Sequence, residues 1–197
     1  SSIKVNGEST EFGKPFFNSD SAFPQDPYAF SKFQAEEALK KLCKNSEMDL
    51  VIVRLPLVYG PGVKGNFALM IKAIRLNLPL PLRGIRNSRS LISIYNLTDF
   101  LIECIKCDKT LNDTFLVSDD EDISTPELLT KLSYHMKKRV IIFNLPNFVL
   151  INSFCLINRR KEINRLTGNL EVDIHYTKEK LNWISKYSID DSLNKMF

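Results

Sequence analysis

Tyr28 and Lys32 are the side chains in this sequence whose types and spacing could move a proton. Residues four apart in an α-helix project from the same face, about one turn from each other. A lysine ammonium beside a phenol favours the phenolate, which lets a tyrosine exchange a proton near neutral pH. The spacing is weakly diagnostic by itself, because an exposed lysine beside a half-buried tyrosine is common in helices. The interpretation therefore depends on the elements that position the pair.

The residues before Tyr28 predict the start of a helix. Asp26 can act as an N-cap that accepts hydrogen bonds from the first N–H groups, and Pro27 suits the first helical position. We predict a helix over residues 26–44 that carries both Tyr28 and Lys32. Its apolar residues are expected to pack against the core. They are Phe33, Ala35, Ala38, Leu39 and Leu42.

Two strands are predicted on either side of this helix. Residues 1–6 read as a strand end, and the apolar run at 50–55 is typical of a strand buried on both faces of a sheet. Ser2 would then lie at the carboxyl edge of a strand, where open α/β sheets bind ligands. A serine that bonds only to its own turn is the alternative. The other predicted elements are helices at 66–77 and 96–107, a helix capped by Ser124 or Thr125, helical segments at 146–166, and strands at 91–94, 114–117 and 140–143.

Gly60, Gly62 and Gly65 formally spell the glycine fingerprint of a dinucleotide-binding loop. That fingerprint also requires an acidic residue about 20 positions onward. Here no acid follows until Asp99, and Pro61 stiffens the turn. We therefore do not interpret these glycines as a phosphate-binding loop.

Composition limits the classes of partner. The chain has 197 residues, is 44% hydrophobic and 25% charged, and carries a formal net charge of +4. These values are ordinary for a soluble protein with one core, and they indicate a mild preference for anionic ligands. No nucleic-acid partner is predicted, because no aromatic residues interleave the arginine cluster Arg83, Arg86 and Arg89.

Two further patterns favour structural roles. Cys104 and Cys107 form a lone C-x-x-C in a helical pattern, which favours reduced thiols over a redox or zinc site, and the two histidines are isolated. No metal site is predicted. The apolar stretch 140–157 is interrupted by asparagine and proline, so a core helix or docking surface is favoured over a membrane span. The basic residues 159–161 keep contact with lipid headgroups open as an alternative.

Five segments, spread from Ser1 towards the C-terminus, carry a family resemblance. They are Ser1 to Glu8 (SSIKVNGE), Asp26 to Lys32, Arg54 to Gly62 (RLPLVYGPG), Arg89 to Ile94 and Thr114 to Asp119. Together they resemble the extended short-chain dehydrogenase/reductases of the NAD-dependent epimerase/dehydratase family. The resemblance is greatest to the UDP-glucose 4-epimerase-like members of bacterial surface-polysaccharide pathways.

The resemblance implies an α/β fold, the C-terminal part of a Rossmann-type parallel sheet with a small mixed α/β substrate-binding region. Residues 1–62 and 91–120 would be the remaining part of the Rossmann domain, and residues 63–90 and 121–197 the substrate-binding region. The chain starts without methionine inside a predicted strand. We therefore expect a fragment or truncated product, with the glycine-rich dinucleotide loop in a preceding segment.

The resemblance also implies roles at a catalytic site. Ser2, Tyr28 and Lys32 would be catalytic: Tyr28 takes the proton of the sugar O4, Ser2 steadies the 4-keto oxygen, and Lys32 favours the phenolate. Tyr28, Lys32, Pro56 and Val58 would contact the cofactor NAD, with NADP as the alternative.

The implied substrate is a UDP-sugar whose diphosphate is bound by Asn66 and Arg89. Two positions depart from the usual epimerase pattern, since Leu57 stands where asparagine is common and Asn6 where tyrosine is common. Leucine cannot donate a hydrogen bond to a phosphate. The polysaccharide-type subgroup resembles this chain at both positions.

The implied activity is that of a cytoplasmic, NAD-dependent nucleotide-sugar 4-epimerase that works through a 4-keto intermediate. The sugar would be of the UDP-glucose/UDP-galactose type or an N-acetyl analogue, and a homodimer would form through the Tyr28 helix. The same three catalytic residues would serve an NAD(P)H-dependent 4-keto nucleotide-sugar reductase. A non-catalytic truncated remnant is the third hypothesis.

Overall fold

Parallel strand pairs joined by helices make up the structure, a computed structural model that describes residues 1–44, 46–107, 112–145 and 160–197, without the side chains of 160–162. The strands are β1 (Val51–Arg54), β2 (Leu57–Tyr59), β3 (Pro79–Leu80), β4 (Leu91–Ser93), β5 (Asp113–Leu116) and β6 (Ile141–Ile142). The helices are α1 (Pro27–Lys44), α2 (Gly65–Arg75), α3 (Ile94–Lys106), α4 (Thr125–His135), α5 (Arg160–Thr167), α6 (His175–Leu181) and α7 (Ile189–Met196).

The strands pair in parallel, β1 with β5, β2 with β4 and β3 with β6. Ser2 adds a single parallel bridge to Leu55, the residue after β1. Parallel neighbours require a long crossover connection, and a helix lies within each connection here. The predicted α/β class with a parallel sheet is confirmed.

The predicted strand at residues 1–6 is wrong beyond Ser2. Residues Ile3–Val5 form a turn of 3-10 helix, and the Ser2 hydroxyl oxygen accepts a hydrogen bond from the Lys4 N–H at 3.3 Å. A serine side chain competes well for nearby backbone N–H groups at the start of a helix, which ends the extended conformation here. Ser2 therefore lies where the chain leaves the sheet.

The predicted core face of α1 is also wrong. Leu39 and Leu42 are 44% and 69% exposed, and Ala35 and Ala38 are exposed as well. Of the predicted stripe only Phe33 is half-buried. The buried residues of α1 are instead Ala29, Glu36 and Cys43.

A buried ion pair explains which way α1 faces. The Arg54 guanidinium, at the end of β1, donates to both carboxylate oxygens of Glu36, at 3.0 and 2.7 Å. Arg54 also donates to the Asn6 side-chain oxygen at 2.9 Å, and the Ser1 hydroxyl donates to Glu36 at 2.5 Å. Because a buried charge without a partner is costly, Glu36 turns inward and the apolar side chains of α1 turn outward.

A second buried network fastens the C-terminal segment to the sheet. The Asp119 carboxylate accepts hydrogen bonds from the Tyr59 hydroxyl at 2.7 Å, the Asn96 amide at 2.7 Å and the Ser93 N–H at 2.9 Å. The Asn96 amide also donates to the Tyr187 carbonyl at 2.8 Å. Burial raises the pKa of Asp119, and it raises that of Tyr59, with the nearby Asp119 charge adding to the effect. This network therefore holds β2 against β4 and against the C-terminal segment around Tyr187.

The apolar core divides into two clusters. One includes Phe67, Leu129 and Leu193, on α2, α4 and α7. The other packs β4 and β5 against α3 and the C-terminal segment, with the Phe100 ring 5.1 Å from the Trp183 ring. The C-terminal segment therefore contributes to the same core as β4 and β5.

The apolar stretch 140–157 is described only in part. Strand β6 confirms the short strand predicted at 140–143. Residues 146–159, including most of that stretch and Arg159, lie outside the described residues. Within the ranges that the structure does describe, helices fall short of the length and apolar character needed to cross a membrane.

We predict that Glu36→Gln lowers the free energy of unfolding of the complete protein by about 3 kcal/mol, because it leaves the buried Arg54 charge without its counterion. The matched control is Glu37→Gln on the same helix, since Glu37 pairs with Lys40 at the surface. The control should change stability by less than about 0.5 kcal/mol. Urea unfolding measures the free energy of unfolding of both variants, provided that its dependence on urea concentration has the same slope in each. Equal losses of stability in the two variants would contradict the proposed importance of the Arg54–Glu36 ion pair.

Candidate active site

A cavity of about 330 Å³ brings together side chains from distant parts of the chain. Its walls are formed by the turn at Ser2, the start of α1, the loop after β1 and the starts of α2 and α4. Five of the residues predicted for the site lie in these walls. They are Ser2, Tyr28, Pro56, Asn66 and Arg89.

Ser2 and Tyr28, which both carry hydroxyl groups, line this cavity from two different elements. The Ser2 oxygen accepts the Lys4 N–H, so the hydroxyl retains its capacity to donate a hydrogen bond. Tyr28 is the second residue of α1 and is 52% exposed. The helix start fixes the backbone of Tyr28 at the cavity edge, and the exposure of the side chain leaves the phenol open to a ligand.

Lys32 and Val58 are not among the residues that line the cavity. The Lys32 ammonium nitrogen lies over the Tyr28 ring, 5.5 Å from the ring centre. That distance is within the range of a cation–π contact and confirms that the two side chains share a helix face. Val58 lies in β2, opposite Ile92 of β4.

The start of α1 is fixed by Asp26, as predicted. One oxygen of the Asp26 carboxylate accepts the Ala29 N–H at 2.6 Å. The other oxygen accepts the ammonium of Lys4, which also contacts Glu8 at 2.9 Å. The hydrogen bond from Lys4 is the main reason that the pKa of Asp26 lies well below its usual range. The carboxylate therefore stays ionised near neutral pH and keeps both contacts.

Arg89 is the half-buried member of the predicted arginine cluster. Its guanidinium donates to the Gly168 carbonyl at 2.9 Å, whereas Arg83 and Arg86 are exposed. Burial, together with the nearby charge of Arg165, lowers the pKa of Arg89 to about 10. Arg165 lines the same cavity, and within the described part of the chain its ion pair is with Asp26, at a long 4.0 Å. Two neighbouring guanidinium groups with so little neutralising charge suit an anionic ligand.

Helix α2 begins at the cavity with Asn66 in its first turn. The N-cap position is occupied by Lys64, whose side chain makes no capping hydrogen bond. The first N–H groups of a helix left without a side-chain cap can bind an anion. The cavity wall therefore contains groups that can bind an anion, contributed by Lys64, Asn66 and Arg89.

Sequence reasoning missed Lys4, Glu8, Lys64 and Arg165, which also line the cavity. For Lys4 and Glu8 a signal was present, because both lie within the strand-end motif that contains Ser2. Arg165 carried no local signal, since it reaches the cavity from α5 through tertiary packing alone.

Gly60 has a packing role that accounts for the glycine pattern. A Cβ atom at Gly60 would lie 2.5 Å from the Ile94 side chain at the start of α3, closer than real contacts allow. The φ angle of Gly60 is 155°, which also favours glycine. This close approach of the loop to α3 requires no bound phosphate.

The C-x-x-C pair lies at the end of α3. Burial, with the added effect of Cys107, raises the pKa of the Cys104 thiol to about 11. Little reactive thiolate is then present at neutral pH. Among the residues that the structure describes, no three His, Cys, Asp or Glu side chains group so as to hold a metal ion.

Known proteins match this chain along most of its length. Residues 1–112 match the family model for the NAD dependent epimerase/dehydratase family. A UDP-glucose 4-epimerase from Vibrio cholerae is 44% identical over 184 residues, which are 93% of this chain and 56% of that protein. A dTDP-4-dehydro-6-deoxyglucose reductase from Escherichia coli is 22% identical over 204 residues, covering 98% of this chain and 59% of that protein. The chain thus spans little more than half the length of these relatives.

The fold is also shared with solved structures. The UDP-glucuronic acid 4-epimerase from Bacillus cereus, in complex with NAD, matches with a TM-score of 0.76 over 99% of this chain and 57% of that chain, at 18% identity. At this identity the match shows the fold, and it confirms the predicted Rossmann-type architecture. By the match to its family model and the identity to the Vibrio cholerae protein, the chain belongs to the NAD-dependent epimerase/dehydratase family.

Proposed function

We propose that the complete protein is an NAD-dependent nucleotide-sugar 4-epimerase, acting on a UDP-sugar of the glucose/galactose type or an N-acetyl analogue. The observation that carries the proposal is the single cavity that contains Ser2, Tyr28, Asn66 and Arg89. It combines two hydroxyl groups suited to proton transfer with cationic groups suited to a diphosphate. The identity to the Vibrio cholerae UDP-glucose 4-epimerase supports the same reaction.

In this proposal Tyr28 and Ser2 act on one sugar oxygen. The Tyr28 phenolate removes the proton from the C4 hydroxyl, and the phenol returns it at the end of the cycle. Ser2 donates a hydrogen bond to the same oxygen while C4 is a ketone, which steadies the charge that develops there. The Lys32 ammonium, held over the Tyr28 ring, stabilises the phenolate electrostatically. NAD, when bound, supplies the oxidation and re-reduction of C4.

The residues of this chain suit the nicotinamide half of NAD. Tyr28 and Lys32 offer a hydroxyl and an ammonium to the ribose hydroxyls, and the backbone around Pro56 and Val58 offers polar groups to a carboxamide. Pro56 lies in the wall of the cavity together with Tyr28, which fits this placement. Because Gly60 is occupied with packing against α3, we expect the pyrophosphate of NAD to be held elsewhere in the complete protein.

The UDP-sugar would be held through its diphosphate by Arg89, Asn66 and the start of α2. Arg165, beside Arg89, adds a second guanidinium for the same anion. Leu57 lies in the same wall and contributes only apolar surface. In this proposal the diphosphate is therefore recognised by Arg89, Arg165 and the N-terminus of α2.

A 4-keto nucleotide-sugar reductase is the second candidate, favoured by the match to the Escherichia coli reductase. Ser2, Tyr28 and Lys32 would transfer the same proton, but NAD(P)H would be consumed in every cycle. Interconversion of two hydroxyl epimers without net consumption of cofactor would support the epimerase. Stoichiometric oxidation of NADPH with a 4-keto nucleotide sugar would support the reductase.

A homodimer through α1 is part of the proposal. The exposed face of this helix carries Leu39 and Leu42, which are three residues apart and 44% and 69% exposed. Apolar side chains that share an exposed helix face favour a protein partner. We expect the complete protein to sediment as a dimer and Leu42→Glu to sediment as a monomer; a wild-type monomer would contradict the arrangement.

We predict that Tyr28→Phe in the complete protein lowers kcat by roughly 100-fold or more, because the sugar hydroxyl loses its proton acceptor. Binding of the UDP-sugar, measured by calorimetry, should persist. Tyr134→Phe is the matched control, since Tyr134 is 79% exposed on α4. Retention of turnover by Tyr28→Phe would remove Tyr28 from the proposed role.

We predict that Arg89→Ala weakens UDP-sugar binding by about 10- to 100-fold, because a charge-assisted hydrogen bond to the diphosphate is lost. Arg86→Ala should leave the dissociation constant unchanged, since Arg86 is exposed and does not line the cavity. Calorimetric titration with UDP-glucose measures both constants. Equal effects of the two substitutions would show that binding depends only on overall charge.

A further inference from the structure

Lys4 connects the two elements that carry Ser2 and Tyr28 in the wall of the cavity. It lies two residues after Ser2, and its side chain is only 21% exposed. Its ammonium contacts the carboxylate of Asp26, which lies two residues before Tyr28. Lys4 and Asp26 therefore connect the Ser2 turn to the first turn of the Tyr28 helix, whereas the hydrogen bond from Ser1 reaches the same helix further along, at Glu36.

Asp26 is held by this contact and by the helix at the same time. One carboxylate oxygen accepts the Ala29 N–H at 2.6 Å as the cap of α1, and the other accepts Lys4. A movement of the Lys4 turn would pull on the cap and so on the first turn of α1, which carries Tyr28. The two side chains are only 21% and 13% exposed, so salt screens this ion pair less than a surface pair.

Glu8 restrains Lys4 from a second side. It contacts the Lys4 ammonium at 2.9 Å, and both Lys4 and Glu8 line the cavity. The positive charge of Lys4 is therefore shared by two carboxylates, which leaves it poorly suited to hold a further anion. This charge balance favours a role in geometry over one in substrate binding.

We propose that Lys4 is a positioning residue, which sets the distance between the Ser2 and Tyr28 hydroxyl groups by tying the Ser2 turn to the cap of the Tyr28 helix through Asp26. The inference rests on the proposed function, because it concerns the proton transfer that these two hydroxyl groups perform. Proton transfer is sensitive to such a distance, and a displacement of about 1 Å can cost about 100-fold in rate.

The test compares variants of the complete protein in steady-state turnover of UDP-glucose. Lys4→Met keeps the length of the side chain and removes its charge, and Lys4→Arg keeps the charge. Asp26→Asn keeps an oxygen for the helix cap and removes the carboxylate. Lys14→Met is the matched control, because Lys14 pairs with Glu11 at 2.5 Å on the surface, where both side chains are largely exposed.

We expect Lys4→Met to lower kcat by about 100-fold with little change in KM, and Lys4→Arg to recover most of the loss. Asp26→Asn should lower kcat similarly, and the double variant should be no worse than either single variant, since both remove one interaction. Lys14→Met should behave like the wild type. If Lys4→Met does not fold, the test is the comparison of Asp26→Asn, which should have a lowered kcat, with Lys4→Arg, which should not.

Three kinetic results would overturn the inference. A wild-type kcat in Lys4→Met would exclude the positioning role while leaving the proposed function intact. A raised KM with unchanged kcat would make Lys4 a substrate-binding residue. Complete protein that does not turn over a nucleotide sugar at all would overturn the proposed function, and this inference with it.

As a readout independent of turnover, NMR titration of the Asp26 carboxyl should show its pKa rising towards the ordinary value in Lys4→Met, because the hydrogen bond from Lys4 is what depresses it. The stability that this contact provides is present above the unfolded-state pKa of an aspartate and is lost as the pH falls through the depressed folded-state pKa. An unchanged titration of Asp26 in Lys4→Met would show that the contact is absent in solution.

Discussion

The buried guanidinium of Arg54 holds together the three chain segments on which the candidate site depends. It reaches Glu36 on α1, one turn beyond Lys32, and Asn6 just after the Ser2 turn. Arg54 itself ends β1, immediately before the loop that contains Pro56. A charged group in this position is tolerated only because its hydrogen bonds are satisfied, so the three segments are constrained to one arrangement.

Two sets of contacts determine the distribution of charge around the cavity. One set of contacts, from Lys4 to Asp26, secures the hydroxyl groups of Ser2 and Tyr28. Another set places Arg89 beside a second guanidinium and beside the start of α2. The ammonium of the first set is paired with two carboxylates, whereas the two guanidinium groups of the second set are near a carboxylate only through the 4.0 Å contact of Arg165 with Asp26, among the residues that the structure describes. An anionic ligand with a neutral polar end therefore complements the cavity better than a uniformly charged one.

Much of the fold follows from local sequence. The cap at Asp26, the helix after it and the β4 and β5 strands were predictable because turn residues, capping residues and apolar runs act over a few positions. The convergence of Ser2 with Arg89 was predictable only through the family resemblance, because the residues are far apart in the chain.

The orientation of α1 and the role of Lys4 could not be predicted in this way. Helical periodicity indicated that Leu39 and Leu42 face the core, but burial of Arg54 required Glu36 there instead. A non-local ion pair outweighed the pattern of apolar residues. An arginine at the end of an otherwise apolar strand was the signal that a partner carboxylate must be buried nearby.

A crystal structure of the complete protein with NAD and UDP-glucose tests the central claim most directly. We expect the Ser2 and Tyr28 hydroxyl groups both to lie within about 2.6–3.2 Å of the sugar O4, with the diphosphate against Arg89. A sugar bound away from Tyr28, or a Tyr28 hydroxyl directed out of the cleft while Ser2 contacts the sugar, would contradict it.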